Sequence, residues 1–385
     1  MMSLRRLAFL TSLAVVCLAS AGPLAFAQKP EPPASPTTVP DAASSDAGPT
    51  TDSGPIILKK KPDATEAPPP APDREKIKNP NGDTYSLRVD VPLVNLNVNV
   101  ILDKTHQFVP GLRPNNFLVL EDGVEQKVDT VRLTQTPITA VMLLEFASTS
   151  WNSIRDMQQD AVGFFHSLRP DDYVAVITYD LRTHILCDFT NNQEVIANSI
   201  RSLTIPGFSE TDLFDALYET LDRTSRIDGR KYIILAGSGR DTFSKLTLDK
   251  ILAKVKATPN VTIFSIATGG MAAEFGRGGG GAGIGTLQAQ NQLRTFAQMT
   301  GGLYFQPVFQ GEIPDIFKQI NNSIRNQYVV TYRPTNVKND GSYRHVQVLL
   351  VDNEGHPLQM QDEKQKPVKY SVITRDGYRA KLPVE

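Results

Sequence analysis

One stretch, Thr139–Trp151 (TAVMLLEFASTSW), constrains the fold more than any other. An apolar run ends in an acid, and small hydroxyl residues follow at once. A run of this length bounded by turn residues reads as a strand buried on both faces. Such strands occupy the centre of open α/β sheets, and ligands bind beyond their carboxyl ends. Glu145, Ser148, Thr149 and Ser150 therefore stand where a site would be built. A strand that simply ends in a polar turn is the plainer alternative, and the stretch alone does not separate the two.

The rest of the chain supports the α/β reading. Residues 154–168 place Ile154, Met157, Ala161, Phe164, Phe165 and Leu168 on one helical face, and Arg169-Pro170-Asp171-Asp172 ends the pattern. Buried strands are predicted at Tyr173–Tyr179, Lys231–Ala236 and Val261–Ala267, with His184–Phe189 as a hairpin partner. Helices are predicted at 196–203, 213–224, 248–257, 287–300 and 313–325, and an edge strand at 302–305. Alternation of this kind gives a doubly wound, mostly parallel sheet covered by helices on both faces.

On either side the rhythm changes to period two. SLRVDVPLVNLNVNVIL, FLVLE and VDTV precede the α/β region; QYVVTYRP, HVQVLLVD and VKYSVITR follow it. Turns at Asp103-Lys104, Glu121-Asp122-Gly123, Asn339-Asp340-Gly341 and Asn353-Glu354-Gly355 separate these half-buried strands. The first group is too small to hold an independent core. The second group supplies its partners, so the α/β unit is expected to be inserted into a β domain built from both ends of the chain.

The N-terminus has a different character. Arg5 and Arg6 precede an apolar run from Leu7 to Ala21, and Ala25-Phe26-Ala27 offers small residues for cleavage before Gln28. Residues 1–27 thus read as a signal peptide, a retained anchor being the alternative; the run is short for a span. Export to the periplasm, cell envelope or medium follows, with no span in the mature chain. Residues 28–84 hold about half of the chain's 27 prolines and almost no aromatics, the composition of an extended tether. Within it, Ile56-Ile57-Leu58 before Lys59-Lys60-Lys61 is either a docking patch or a solvated accident. The resulting division is 1–27 signal peptide, 28–84 linker, 85–135 first part of the β domain, 136–325 α/β domain, and 326–385 second part of the β domain.

Composition narrows the function classes. A net charge of −1 leaves no electrostatic footprint for nucleic acid. Two cysteines, Cys17 and Cys187, allow no disulfide once the first is removed with the leader; Cys187 reads as a small buried hydrophobe. The glycine-rich stretch Gly269–Gly285 lacks the Gly-Lys-Ser or Gly-Lys-Thr that a phosphate-binding loop needs, and reads as a surface loop. No Gly-x-Ser-x-Gly elbow occurs, and none of the five histidines lies beside the switch-point turn in sequence. Asp212 and Asp215, at a helix start, are accounted for by capping and the helix dipole.

With the strand, the acid-and-hydroxyl turn, the helix start Thr211-Asp212-Leu213-Phe214-Asp215-Ala216-Leu217 and YIILAGSGRDTFS in view, the chain resembles a von Willebrand factor A domain. From about residue 88 it is similar to a bacterial exported family described as von Willebrand A-related, through FLVLEDGVEQKV, YVVTYRP, DGSYRHVQV and TRDGYRA. The resemblance implies a metal-ion-dependent adhesion site: an Asp-x-Ser-x-Ser turn, a Thr before a later helix, and an Asp after the fourth strand. This chain departs from it. Glu145 stands for the first Asp, Ala147 and Thr149 for the two Ser, and Ser238 for the last Asp; Thr211 matches. A register through Ser148 and Ser150 restores two hydroxyls but not the lost Asp.

Magnesium sheds water reluctantly and is held through one or two carboxylates. The implied set Glu145, Thr149, Thr211 and Ser238 supplies one, so the site is expected to be degenerate, with magnesium weak or absent and no other cofactor. Asp241, together with Ser148 and Ser150, is left for partner contact. The sequence therefore predicts a non-catalytic, adhesion-type module with a protein partner in the envelope or outside the cell. A magnesium-dependent adhesion protein and a hydrolase on the same fold are the alternatives.

Overall fold

A computed structural model of the chain describes residues 77–78, 84–85, 93–134, 136–148, 161, 164–165, 168–268, 283–362 and 364–382. The leader, most of the proline-rich segment, most of the 154–168 helix, Thr149, Ser150 and all but the end of the glycine-rich stretch lie outside these residues. The chain divides into two units, Met1–Ile77 and Lys78–Glu385, and the second holds both the α/β region and the strands that flank it.

After the two-residue strands Ile77–Lys78 and Thr84–Tyr85, four longer strands precede the α/β region: β1 (Val94–Leu102), β2 (Phe117–Glu121), β3 (Val124–Gln126) and β4 (Val128–Leu133). β2 and β3 form a hairpin closed by Asp122 and Gly123, whose φ values of 48° and 82° match the Asp-Gly signal. Both central residues of such a turn need positive φ, which follows the right-handed twist of the flanking strands.

The α/β region begins with β5 (Thr139–Glu145), followed by β6 (Tyr173–Tyr179) and β7 (Thr183–Thr190). Then come α1 (Gln193–Arg201), α2 (Leu213–Ser225), β8 (Lys231–Gly237), α3 (Leu248–Ala257) and β9 (Val261–Ala267). α4 (Ile284–Met299), β10 (Tyr304–Phe305) and α5 (Ile313–Arg325) complete it. The sheet order is β10-β9-β8-β5-β6-β7. All neighbours are parallel except β7, which returns antiparallel beside β6. That is a mostly parallel sheet with β5 and β8 adjacent at its centre.

Alternation along β5 separates two apolar layers. Ala140, Met142 and Leu144 pack with Phe164, Phe165, Ile196 and the α5 residues Ile313, Phe317 and Ile320. Val141 and Leu143 pack on the other face with Leu213, Leu217, Ile251, Leu293 and Phe296. A central strand covered on both faces needs apolar residues at every position, which is why its sequence shows no alternation.

After α5 the chain returns to strands: β11 (Tyr328–Tyr332), β12 (Tyr343–Leu350), β13 (Tyr370–Ile373) and β14 (Gly377–Arg379). They join the N-terminal strands in two antiparallel sheets, β13-β1-β11-β4 and β14-β12-β2-β3. β11 lies between β1 and β4, and β12 beside β2, so neither end of the chain completes a sheet alone. Leu96, Val98, Val100, Tyr328, Val330 and Tyr332 of one sheet meet Phe117, Val119, Val346, Val348 and Leu350 of the other in a single core. The N-terminal strand group has no core of its own because half of each sheet comes from beyond residue 325.

A buried ion pair fixes the junction. Asp172, before β6, accepts from the Ile138 and Arg169 amides at 3.0 and 2.6 Å and pairs with Arg325 at the end of α5. Burial pushes the Asp172 carboxyl up, but Arg325 and the two amides outweigh it and hold it below the usual carboxylate range. Among the described residues no helix is long and apolar enough to cross a membrane.

Candidate functional site

The sheet ends carry the site. β5 and β8 run in parallel register, Leu144 opposite Ala236, so Glu145 and Gly237 end side by side. Glu145 is fully buried. Its Oε2 accepts hydrogen bonds from the Ser238 amide at 2.6 Å and the Ser238 hydroxyl at 2.8 Å, and lies 3.5 Å from the Tyr179 hydroxyl. Gly237 makes this approach possible. A Cβ there would stand 2.4 Å from the Tyr179 hydroxyl and 2.8 Å from Glu145 Oε2.

Thr211 precedes α2. Its hydroxyl donates to the Arg240 carbonyl at 2.8 Å, and its amide donates to the Thr242 hydroxyl at 2.9 Å. Arg240, in turn, donates its amide to the Ser238 hydroxyl at 3.2 Å. Glu145, Ser238 and Thr211 are thus brought together through the 238–242 loop. Thr149 and Ser150 lie outside the described residues. Ser148 is exposed, and its amide donates to the Phe208 carbonyl at 2.8 Å.

The acids at the head of α2 behave differently from the sequence expectation. Asp212 occupies the cap position but makes no capping bond with its side chain. The cap comes instead from the neighbouring loop: the Phe214 amide donates to Asp241 Oδ1 and to the Ser244 hydroxyl, each at 3.1 Å. Asp215 fits the helix dipole but also pins that loop, accepting from the Lys245 and Leu246 amides at 2.9 and 3.0 Å. Asp241 reaches the helix first because the 238–244 loop folds directly over the N-terminus of α2, leaving Asp212 to turn inward.

Turned inward, Asp212 is 5% exposed and its Oδ1 has no hydrogen-bond partner. Burial, then the charge of Asp215, with Asp180 and Asp241 adding, push its carboxyl up to about 7. Asp241 is also raised, first by burial. Burial and the charges of Glu145 and Asp212 move the Tyr179 hydroxyl far above its ordinary value. His184 Nε2 sits 3.3 Å from Asp180 Oδ1, and the Asp180 carbonyl accepts the Asp212 amide at 2.7 Å.

Sequence reasoning missed Tyr179, Asp180, Asp212 and His184 as members of this cluster. The signal available was position: Tyr179 and Asp180 end a strand adjacent to β5, so they must open on the same edge of the sheet. Cys187, in β7, is buried with its thiol pushed up by burial, as a small apolar side chain would be. Among the described residues, no group of three or more His, Cys, Asp or Glu is arranged to hold a metal ion.

A family match fits this geometry. Residues 145–319 match the von Willebrand factor type A domain. These residues hold a von Willebrand factor type A domain, flanked in sequence by the strands that build the two antiparallel sheets. No curated protein matches it. Among solved structures, it is similar to the vWF domain of the type V pili tip protein Mfa5 from Porphyromonas gingivalis. The identity is 14%, covering 50% of this chain and 96% of that one, with a TM-score of 0.39. It is also similar to the PilB minor pilin from Streptococcus sanguinis, at 10% identity over 50% of this chain and 63% of that one (TM-score 0.37). A third likeness is to the conserved hypothetical protein BatB from Bacteroides thetaiotaomicron, at 11% identity over 49% and 98% (TM-score 0.36).

Proposed function

We propose that the chain is an exported, non-catalytic protein-binding module of the adhesion type, whose metal-ion-dependent adhesion site is degenerate. Residues 1–27 serve as the signal peptide and 28–84 as a tether. The A domain, 136–325, is carried on a β domain made of 85–135 and 326–385. Contact with a protein partner in the envelope or outside the cell is made by the loops beyond the carboxyl ends of the strands, Ser148, Ser150 and Asp241 among them.

The observation that carries the reading is the Glu145–Ser238 contact. In a metal site of this type the acid after the first strand and the residue after the fourth face each other across an ion. Here Ser238 offers Glu145 two donors, at 2.6 and 2.8 Å, both to Oε2. The Thr211 hydroxyl is likewise turned to a backbone carbonyl. Such a donor set is a poor match to magnesium, which prefers carboxylates and octahedral order. Direct hydrogen bonds between the loops do what an ion would otherwise do: they hold the edge of the sheet in one arrangement.

Capture from envelope extracts tests this. The protein should retain the same partner with and without chelator, and lose it when bulk is added to the loop face by Ser148→Trp. Capture abolished by chelator would instead establish magnesium-dependent adhesion. Turnover of an ester, peptide or phosphate panel would establish an enzyme.

A further inference from the structure

At the amino ends of the strands, opposite the Glu145 edge, the A domain and the strand sheets enclose a cavity of about 440 Å³. Its wall includes the end of α3 and the turn into β9 on one side, and β1, β12 and β14 on the other. Lys256, Lys338, Arg344, Arg375, Arg379 and Lys381 all line it, and no lining residue is an acid. Six cations around one cavity repel one another, and among the acids that face them are Asp340 beside Arg344 and Asp376 near Lys256 and Arg375.

Arg344 is the informative member. It is 2% exposed, the largest of the fully buried side chains among the described residues. One of its terminal nitrogens, Nη2, donates to the Lys338 carbonyl at 2.9 Å and lies 3.5 Å from Asp340 Oδ1. Its Nε and Nη1 have no hydrogen-bond partner. Asp340 is about half exposed, and among the described residues it is the only carboxylate within 4.0 Å of Arg344. Glu121, in the same core, gives Oε2 to the Tyr332 and Tyr378 hydroxyls at 2.7 and 2.8 Å, while its Oε1 is buried without a hydrogen-bond partner and makes no ion pair with Arg344. A buried guanidinium with idle donors is costly, and the idle Nε and Nη1, on separate edges of the group, each suit an oxygen of an oxyanionic ligand.

We infer that this cavity is a binding site for an oxyanionic ligand, a small molecule bearing phosphate or carboxylate groups, held by Arg344 at its base and by Lys256 and Lys338 at its rim. The cavity exceeds a single phosphate and several cations line it, which suits a ligand with more than one anionic group. Arg375, half-buried with its Nε on the Gly377 carbonyl at 2.5 Å, forms the wall nearest β14. Burial holds the Arg375 guanidinium below its ordinary value, with Tyr343 and Asp376 offsetting part of that effect. The site shares no residue with the Glu145 cluster, so its fate is independent of how that edge binds its partner.

Calorimetry on the full chain, with inorganic pyrophosphate and with citrate as probes, tests the inference. At least one should bind at one per chain, saturate below the millimolar range and weaken as salt is raised. Pyrophosphate alone would mark the ligand as phosphate-bearing, and citrate alone as carboxylate-bearing. Arg344→Gln should weaken the bound probe at least tenfold. Lys256→Ala combined with Lys338→Ala, two exposed positions that leave the core untouched, should weaken it severalfold and flatten its salt dependence. Saturation by neither probe, or binding that the rim double variant leaves unchanged, overturns the site.

Discussion

Glu145 Oε2 and Ser238 are joined twice, through the serine amide at 2.6 Å and the serine hydroxyl at 2.8 Å. This double contact ties the ends of the two central strands together in the dry edge of the sheet. Removing the hydroxyl with Ser238→Ala keeps the amide bond and leaves one acceptor site on a buried oxygen unfilled. The expected loss is about 1–3 kcal/mol, read by urea unfolding. A change within experimental scatter would mean that the hydroxyl contributes nothing to the edge.

Gly237 gives a sharper test of the same geometry. Its Cα hydrogens face Tyr179 and Glu145, and a Cβ would intrude to 2.4 and 2.8 Å. Gly237→Ala should therefore destabilise the protein by roughly 1–3 kcal/mol, although alanine suits a strand better than glycine. The neighbouring Ala236→Gly serves as the control for strand propensity. A melting temperature for Gly237→Ala equal to that of the parent would show that the close approach does not exist.

Asp212 predicts the sign of a pH effect. Its carboxyl is ordinarily near 3.8 and is held at about 7 in the folded chain. The folded state therefore binds this proton more tightly than the unfolded state. The stabilisation is complete below the unfolded value and declines as pH rises towards 7, by a few kcal/mol in total. Asp212→Asn, neutral throughout, should raise the melting temperature by several degrees at pH 8 and by little at pH 4. Equal shifts at both would show that Asp212 does not titrate in this range.

The Asp172–Arg325 pair has the opposite sign. Asp172 is held below its ordinary value, so its contribution is present above about pH 4, near the unfolded carboxyl, and is lost as pH falls through the folded value. Arg325→Met would leave a fully buried carboxylate without its cation, costing roughly 3–5 kcal/mol at pH 7. The penalty should shrink in acid. Chemical denaturation at pH 7 and pH 3 measures both.

The architecture was legible in the sequence because period and burial coincide. The mainly apolar runs at 140–146, 231–236 and 261–267 read as central strands, and the period-two runs at both ends as half-buried sheet. The pairing of β11 with both β1 and β4 follows from a shortage of strands before residue 134. What the sequence hid was side-chain traffic between loops. Asp212 reads as a helix cap, yet Asp241 and Ser244 from another loop take that role, because hydrogen-bond competition is decided by distance in space. Arg344 reads as one more polar residue in an alternating strand, yet it shares the inward face of β12 with Val346, Val348 and Leu350, where a guanidinium is not expected.

The central claim is that direct loop-to-loop hydrogen bonds stand in place of a metal ion at the Glu145 edge. Magnesium titration of the unmodified protein by calorimetry tests it most directly. The variant carrying Glu145→Asp, Ala147→Ser, Thr149→Ser and Ser238→Asp serves as the positive control. The unmodified chain should give no saturable heat and no rise in melting temperature, since a ligand stabilises only as far as it occupies its site. Binding should appear once the acids and hydroxyls are restored. Micromolar magnesium affinity in the unmodified protein would contradict the claim.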